Sequence, residues 1–220
     1  MELTVFKYAE SDLAHHQAFY GGDPIKKVPI SFLFYLIEDD ERKILVDIGC
    51  NELPGFDMRL FVKPVELLKR YGIKVQDITD VIITHADWDH VGTISEFSHA
   101  NIYIQEQEHE REKGYFAKCN HVHTFDKEYN LCRDIRIVKI GGHQIGSSIV
   151  EITNGSKVYV LGGDECYVND CLKYQIPTGA TYCLEQSRYF VEHYSDEKYK
   201  VLLYHDASVM PGQNGAMKIF

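Results

Sequence analysis

Val81-Ile82-Ile83-Thr84-His85-Ala86-Asp87-Trp88-Asp89-His90 is the stretch on which the reading of this chain turns. Its first residues form a short β-branched apolar run, which predicts a buried strand. The strand runs straight into four ligand-type residues, His85, Asp87, Asp89 and His90. In extended chain, residues i and i+2 project to the same side, so His85, Asp87 and Asp89 converge at the mouth of a sheet. Imidazole nitrogen and carboxylate oxygen suit zinc, iron, manganese and cobalt. No thiolate stands close by, which argues against a structural zinc site.

Three further segments repeat the arrangement of a strand followed by a donor. Gly141-Gly142-His143 sits in a glycine-flanked turn between an alternating apolar and basic run, 135–140, and the strand expected at 148–153. Asp164 follows Val160-Leu161-Gly162-Gly163, and His205-Asp206 follows a buried strand expected at 201–204. The apolar run 30–37, the polar stretch Glu38-Asp39-Asp40-Glu41-Arg42 and Ile44-Leu45-Val46-Asp47-Ile48 compose a β-hairpin. Asn154-Gly155 marks a second hairpin between 148–153 and 157–161. Val65, Leu68 and Tyr71 or Ile73 recur at helical spacing, opened by Pro64 and closed by Gly72. Ile102-Tyr103-Ile104 predicts a strand followed by a charged helix, and 181–193 another helix. Segments 9–28 and 51–60 read as loops. Strands and helices mixed without strict alternation predict an α/β sandwich with antiparallel elements. With no repeat, low-complexity stretch or linker, the chain reads as one domain over 1–220.

The net charge of −10, from 33 acidic against 23 basic residues, repels polyphosphate and argues against nucleic acid as a partner. No run approaches the length needed to cross a bilayer, and no secretory signal opens the sequence, so a cytoplasmic protein without membrane association is expected. The six cysteines show no C-x-x-C spacing and read as free thiols. His121-Val122-His123 reads as a surface pair in a polar loop, and His15-His16 as residues that could line a cleft.

Taken together, the four donor segments resemble, in order, the signature of the metallo-β-lactamase superfamily: His-x-His-x-Asp-His, then Gly-His, then Asp, then His. The resemblance spans nearly the whole chain, including the early strand pair ending Val46-Asp47-Ile48-Gly49. It implies a four-layer αββα sandwich with two divalent metal ions in a cleft at one edge of paired sheets. Carried over by position, His85, Asp87 and His143 would hold one ion. Asp89, His90 and His205 would hold the other, with Asp164 bridging and a hydroxide between the ions. The chain departs from the pattern at Asp87, where the family usually has histidine. A carboxylate there is a harder donor, shared in kind with the flavodiiron branch, and widens the expected metals from zinc to iron or manganese.

Such a pair of ions implies hydrolysis of an ester-like carbonyl. The layout looks most like the N-acyl homoserine lactonase branch, in which a tyrosine three positions after the bridging aspartate contacts the substrate carbonyl; here that is Tyr167. Asp89 would also pass a proton to the leaving alkoxide. Asp206 is expected to orient His205, and Asp47 to support the site in the same way. A small lactone or ester, N-acyl homoserine lactone in particular, is the expected substrate. Two alternatives stay open: a thioesterase of the glyoxalase II kind, and a diiron oxidoreductase needing a separate electron-transfer partner.

Overall fold

In the computed structural model, which describes residues 1–39, 41–212 and 214–220, two sheets pack face to face. Twelve strands run β1 (Glu2–Ala14), β2 (Lys27–Glu38), β3 (Lys43–Val46), β4 (Asp80–Ile83), β5 (Asn101–Gln105), β6 (His121–Phe125), β7 (Glu128–Cys132), β8 (Ile135–Lys139), β9 (Ser148–Asn154), β10 (Lys157–Leu161), β11 (Tyr199–Leu202) and β12 (Ala216–Lys218). The first sheet has the order β12-β1-β2-β3-β4-β5-β6 and the second β11-β10-β9-β8-β7. Among the described residues seven α-helices accompany them: α1 (His15–Ala18), α2 (Pro64–Tyr71), α3 (Trp88–Val91), α4 (Glu106–Arg111), α5 (Lys113–Phe116), α6 (Asn169–Tyr174) and α7 (Leu184–His193).

Side-chain alternation explains the layers. On β2, Leu33, Tyr35 and Ile37 face the second sheet, where they meet Ile135, Ile137, Val150, Ile152 and Leu161. Phe32, Phe34 and Leu36 face the other way, into a core shared with Leu67 and Leu68 of α2, Val91 of α3 and Phe97. A strand buried on both faces is apolar at nearly every position, which is why 30–37 carries no polar alternation and Ser31 alone interrupts it. Ile82 and Tyr103 turn inward between the sheets, while Val81, Ile83, Ile102 and Ile104 turn outward under the helices. On the far side, Ile149 and Val160 pack against Cys171 of α6 and Phe190 and Val191 of α7. The result is the αββα sandwich that the resemblance implies.

Local signals set several boundaries. Pro64 opens α2 at a position where its missing N–H costs no helical hydrogen bond, and Gly72 closes it at φ 93°. The β9–β10 hairpin pairs Asn154 with Lys157 and places Gly155 at φ 63°. The β2–β3 hairpin pairs Glu38 with Lys43; Asp40 of its turn lies outside the described residues.

Other expectations need correction. Segment 9–28 is no loop: residues 9–14 complete β1, which pairs with β2 from Glu2↔Glu38 to Ala14↔Lys27, and α1 follows. Its inward positions there are Ala9, Ser11 and Leu13, of which the first two are small or polar and hide the alternation. His121 and His123 lie on β6, an edge strand parallel to β5, with the His123 ring stacked on Tyr103 at 4.9 Å. The last helix begins at Leu184 rather than 181. The strand before His205 spans Tyr199–Leu202, is only half buried, and is followed by one more strand, β12. No helix among the described residues is long and apolar enough to cross a membrane.

Candidate metal centre

Every donor segment leaves its strand at the same edge of the sandwich. His85 follows β4, His143 lies between β8 and β9, Asp164 follows β10, and His205 follows β11. Asp89 and His90 belong to α3, whose single turn carries them back beneath His85. The rings of His85 and His90 lie 3.9 Å apart, and His143 stands edge-on to His85 at 4.8 Å.

The donor atoms fall into two groups, His85 with His143 and Asp164, and Asp89 with His90 and His205; within each they lie within 4.8 Å of one another. Asp164 stands between the groups. Its Oδ2 is 3.7 Å from His143 Nε2 and 3.3 Å from His205 Nε2, and its Oδ1 is 3.2 Å from His90 Nε2. Asp89 Oδ2 lies 3.7 Å from His90 Nε2 and 3.5 Å from His205 Nε2. Asp87 flanks the first group, with Oδ2 3.5 Å from His85 Nε2 and 3.3 Å from His143 Nε2.

The opposite nitrogen of each ring is held by the fold. His90 Nδ1 lies 2.9 Å from Asp47 Oδ2, and His85 Nδ1 lies 3.2 Å from the Thr84 hydroxyl. His143 Nδ1 donates to the carbonyl of Ala180 at 2.6 Å, and His205 Nδ1 to that of Ser31 at 2.9 Å. Such partners fix the tautomer and leave Nε2 as the free donor. Asp206 does not orient His205 as expected, because its carboxylate accepts from Asn169 Nδ2 at 2.6 Å and Ser208 N at 2.8 Å. Asp47 does have the supporting position expected of it. It adopts φ 55°, a left-handed conformation that aspartate tolerates better than most residues, and also accepts from Thr84 N at 2.9 Å.

These residues fit a pair of divalent cations. His85 Nε2, His90 Nε2 and Asp164 Oδ1 are buried and have no hydrogen-bond partner. Each such atom costs on the order of 1–3 kcal/mol unless something completes it. The electrostatics agree. Burial alone would lower the pKa of His90, yet Asp164, Asp47 and Asp89 outweigh it and raise it well above the ordinary value. His143 is likewise raised to about 9, burial being overcome by Asp87 and Asp164. Burial would raise the pKa of Asp164, but His205 and His90 hold it well below the usual carboxylate range. The cavity therefore demands positive charge, and cations displace protons from such ligands.

Tyr167 caps the cluster. It is buried, with its ring 4.9 Å from His205 and 5.8 Å from His143. Burial, and then the carboxylates of Asp164, Asp89 and Asp87, push its phenol well above the ordinary range. Beneath the cluster Tyr204 stacks on His90 at 3.7 Å and donates to the backbone oxygen of Asp89, which Tyr8 reaches at 3.1 Å. His15 does not belong to either donor group: its Nδ1 accepts the backbone N–H of Asp23 at 3.0 Å and its ring lies against Phe19.

Sequence reasoning missed the neighbours of Asp87. Arg111 Nη2 donates to Asp87 Oδ1 at 2.9 Å, and Gln144 Nε2 to Oδ2 at 3.0 Å. The one available signal was the charged character of the segment that became α4.

Known proteins agree with this architecture. The profile of the metallo-beta-lactamase superfamily matches residues 33–118. An N-acyl homoserine lactonase of Bacillus cereus is 28% identical over 168 residues, 65% of this chain and 67% of that protein. A second, from Bacillus thuringiensis subsp. kurstaki, is 25% identical over 70% of this chain and 71% of its own length. Among solved structures, an N-acyl homoserine lactone hydrolase with N-hexanoyl-L-homoserine at its catalytic metal centre superposes with TM-score 0.82 at 22% identity, covering 94% of this chain and 93% of that one. A dizinc quorum-quenching lactonase superposes with TM-score 0.73 at 16% identity over 99% of this chain and 93% of its own. The two-sheet sandwich and the ordered donor segments agree with these likenesses: the chain is similar to the metallo-β-lactamase superfamily over residues 33–118 and, over about two thirds of its length, to N-acyl homoserine lactonases.

Proposed function

We propose that the protein is a dinuclear metal-dependent hydrolase that opens a lactone ring, with N-acyl homoserine lactone as substrate, acting through one domain over 1–220. The observation that carries this reading is Asp164, placed between two groups of convergent donors with Tyr167 above them. The relatives named above, lactonases by description, support the substrate class.

In this reading His85, Asp87 and His143 would hold one cation and Asp89, His90 and His205 the other, with Asp164 able to serve both. Two bound cations would acidify a water molecule and polarise the lactone carbonyl. The remaining tasks fall to the chain. Tyr167 keeps its proton and donates a hydrogen bond to the carbonyl oxygen as charge develops there. Asp89, more accessible than the histidines around it, would take the proton that the attacking water gives up and pass it to the leaving alkoxide, so that the ring opens to hydroxyl and carboxylate. Asp47, Thr84, Ala180 and Ser31 hold the imidazoles so that none turns its N–H into the cavity.

Zinc is one candidate for the pair; the Asp87 carboxylate supports iron or manganese as well. We place the protein in the cytoplasm, which cell fractionation checks. Acid release from an N-acyl homoserine lactone by manganese-reconstituted protein, with Asp164→Ala as blank, tests the function. Metal-dependent ring opening supports it; no release with both sites filled overturns it and turns the search to thioesters, phosphoesters and redox partners.

A further inference from the structure

We propose that Arg111 is a positioning residue for the first metal: it fixes the Asp87 carboxylate so that Oδ2 rather than Oδ1 faces the cation, at the place where a histidine is usual.

Asp87 uses its two oxygens differently. Oδ1 accepts from Arg111 Nη2 at 2.9 Å. Oδ2 is the oxygen nearest His85 Nε2 and His143 Nε2, at 3.5 and 3.3 Å. Gln144 Nε2 donates across both oxygens, at 3.0 Å to Oδ2 and 3.3 Å to Oδ1, so Arg111 is the partner that distinguishes them and the carboxylate plane is held from two sides. A carboxylate free to rotate offers a cation either oxygen or both; one oxygen tied to a guanidinium leaves a single donor, as an imidazole does. The guanidinium charge is shared between Asp87 and the buried Glu108 carboxylate, so it offsets part of the negative charge Asp87 adds.

Arg111 is itself anchored. The same Nη2 donates to Glu108 Oε2 at 2.8 Å. Glu108 is fully buried, and its other bonds go to the metal-site loops: Oε2 accepts the N–H of Ala86 at 3.0 Å and Oε1 that of Gly146 at 3.0 Å. One buried carboxylate thus ties the loop carrying His85 and Asp87 to the loop carrying His143. Through Arg111 it also sets the rotamer of Asp87. Helix α4 supplies both residues, one turn apart.

The inference rests on the dinuclear metal reading above, and its test needs no substrate. Arg111→Gln removes the Nη2 that serves both Asp87 and Glu108, and the Asp87→His background separates the two contacts. Apo wild type, Arg111→Gln, Asp87→His and the double variant are titrated with cobalt(II) against a chelator, following the visible d–d bands. Thermal melts of each apo protein report the fold, and Arg111→Met is read in the same way if the glutamine variant does not fold. In Arg111→Gln one cobalt equivalent should weaken on the order of 10- to 100-fold with a changed band, the other staying put. In the Asp87→His background the same change should leave both equivalents within about twofold, because the partner it positions is gone. An equal loss in both backgrounds would assign Arg111 to Glu108 and general structure, and overturn the proposal. Unchanged or tighter binding in Arg111→Gln also overturns it, since charge removal alone favours a cation. Wild type that binds no cobalt fails the metal reading itself, a result separate from these.

Discussion

Replacing Asp47 by asparagine tests whether the fold dictates which imidazole nitrogen the site presents. Asp47 lies at φ 55°, and asparagine tolerates that conformation, so the backbone is kept. The aspartate carboxylate accepts from Thr84 N at 2.9 Å through Oδ1 and faces His90 Nδ1 at 2.9 Å through Oδ2. An asparagine keeps its carbonyl toward Thr84 N–H and turns its amide N–H₂ toward His90. His90 must then accept at Nδ1, which moves its ring proton to Nε2, the buried atom that now lacks a partner. A cation at that position has to expel the proton or turn the ring against its 3.7 Å stack on Tyr204. Losing such a support weakens metal binding about 10- to 100-fold, or roughly 1.4–2.8 kcal/mol. The cost should fall on the Asp89–His90–His205 group alone. Chelator-competition titration of apo Asp47→Asn with zinc should give one weakened and one unchanged equivalent. Two equivalents of wild-type affinity would refute the tautomer argument.

Tyr167→Phe removes the phenolic donor and keeps the ring beside His205; turnover of an acyl homoserine lactone should fall on the order of 10- to 1,000-fold at unchanged metal content, measured by steady-state kinetics and metal analysis. Stripping the metals leaves three buried polar atoms unpaired and the carboxylates of Asp87, Asp89 and Asp164 clustered, so calorimetry should show a lower Tm with chelator. A site filled at a hundred times its Kd contributes about 2.7 kcal/mol, which sets the scale of that drop. Burial would raise the Glu108 pKa, but the Ala86 N–H and Arg111 reverse it and hold it below its ordinary value of 4.5. A depressed folded-state pKa gives stability that is complete above 4.5 and lost as the pH falls through the folded value. Denaturant titrations should therefore find that Glu108→Gln is less stable than wild type at neutral pH and that the gap narrows below pH 4.5.

Much of this protein could be read along the chain because the signals are local. A donor that directly follows an apolar strand announces itself within ten residues, as at His85, Asp164 and His205. Pro64 and Gly72 bracket α2 because proline and glycine act on their own backbone. The apolar, aromatic-rich run of β2 marks it as one arm of a hairpin by composition.

Tertiary structure decided what depends on distant partners. The length of β1 was hidden because its pairing with β2 is set by hydrogen bonds that any side chain permits, so Ala9 and Ser11 carry no strand signature. The orientation of His143 and His205 rests on the carbonyls of Ala180 and Ser31, and a backbone oxygen leaves no mark in a sequence. The aspartate beside His205 drew the eye, yet its carboxylate turns to Asn169 instead. Asp87 showed the same limit: its chemistry was plain from its place in the motif, whereas its charge balance depends on Arg111, brought from another element by folding. Sequence determined which donors the chain owns; only the fold decided which atom of each one is free.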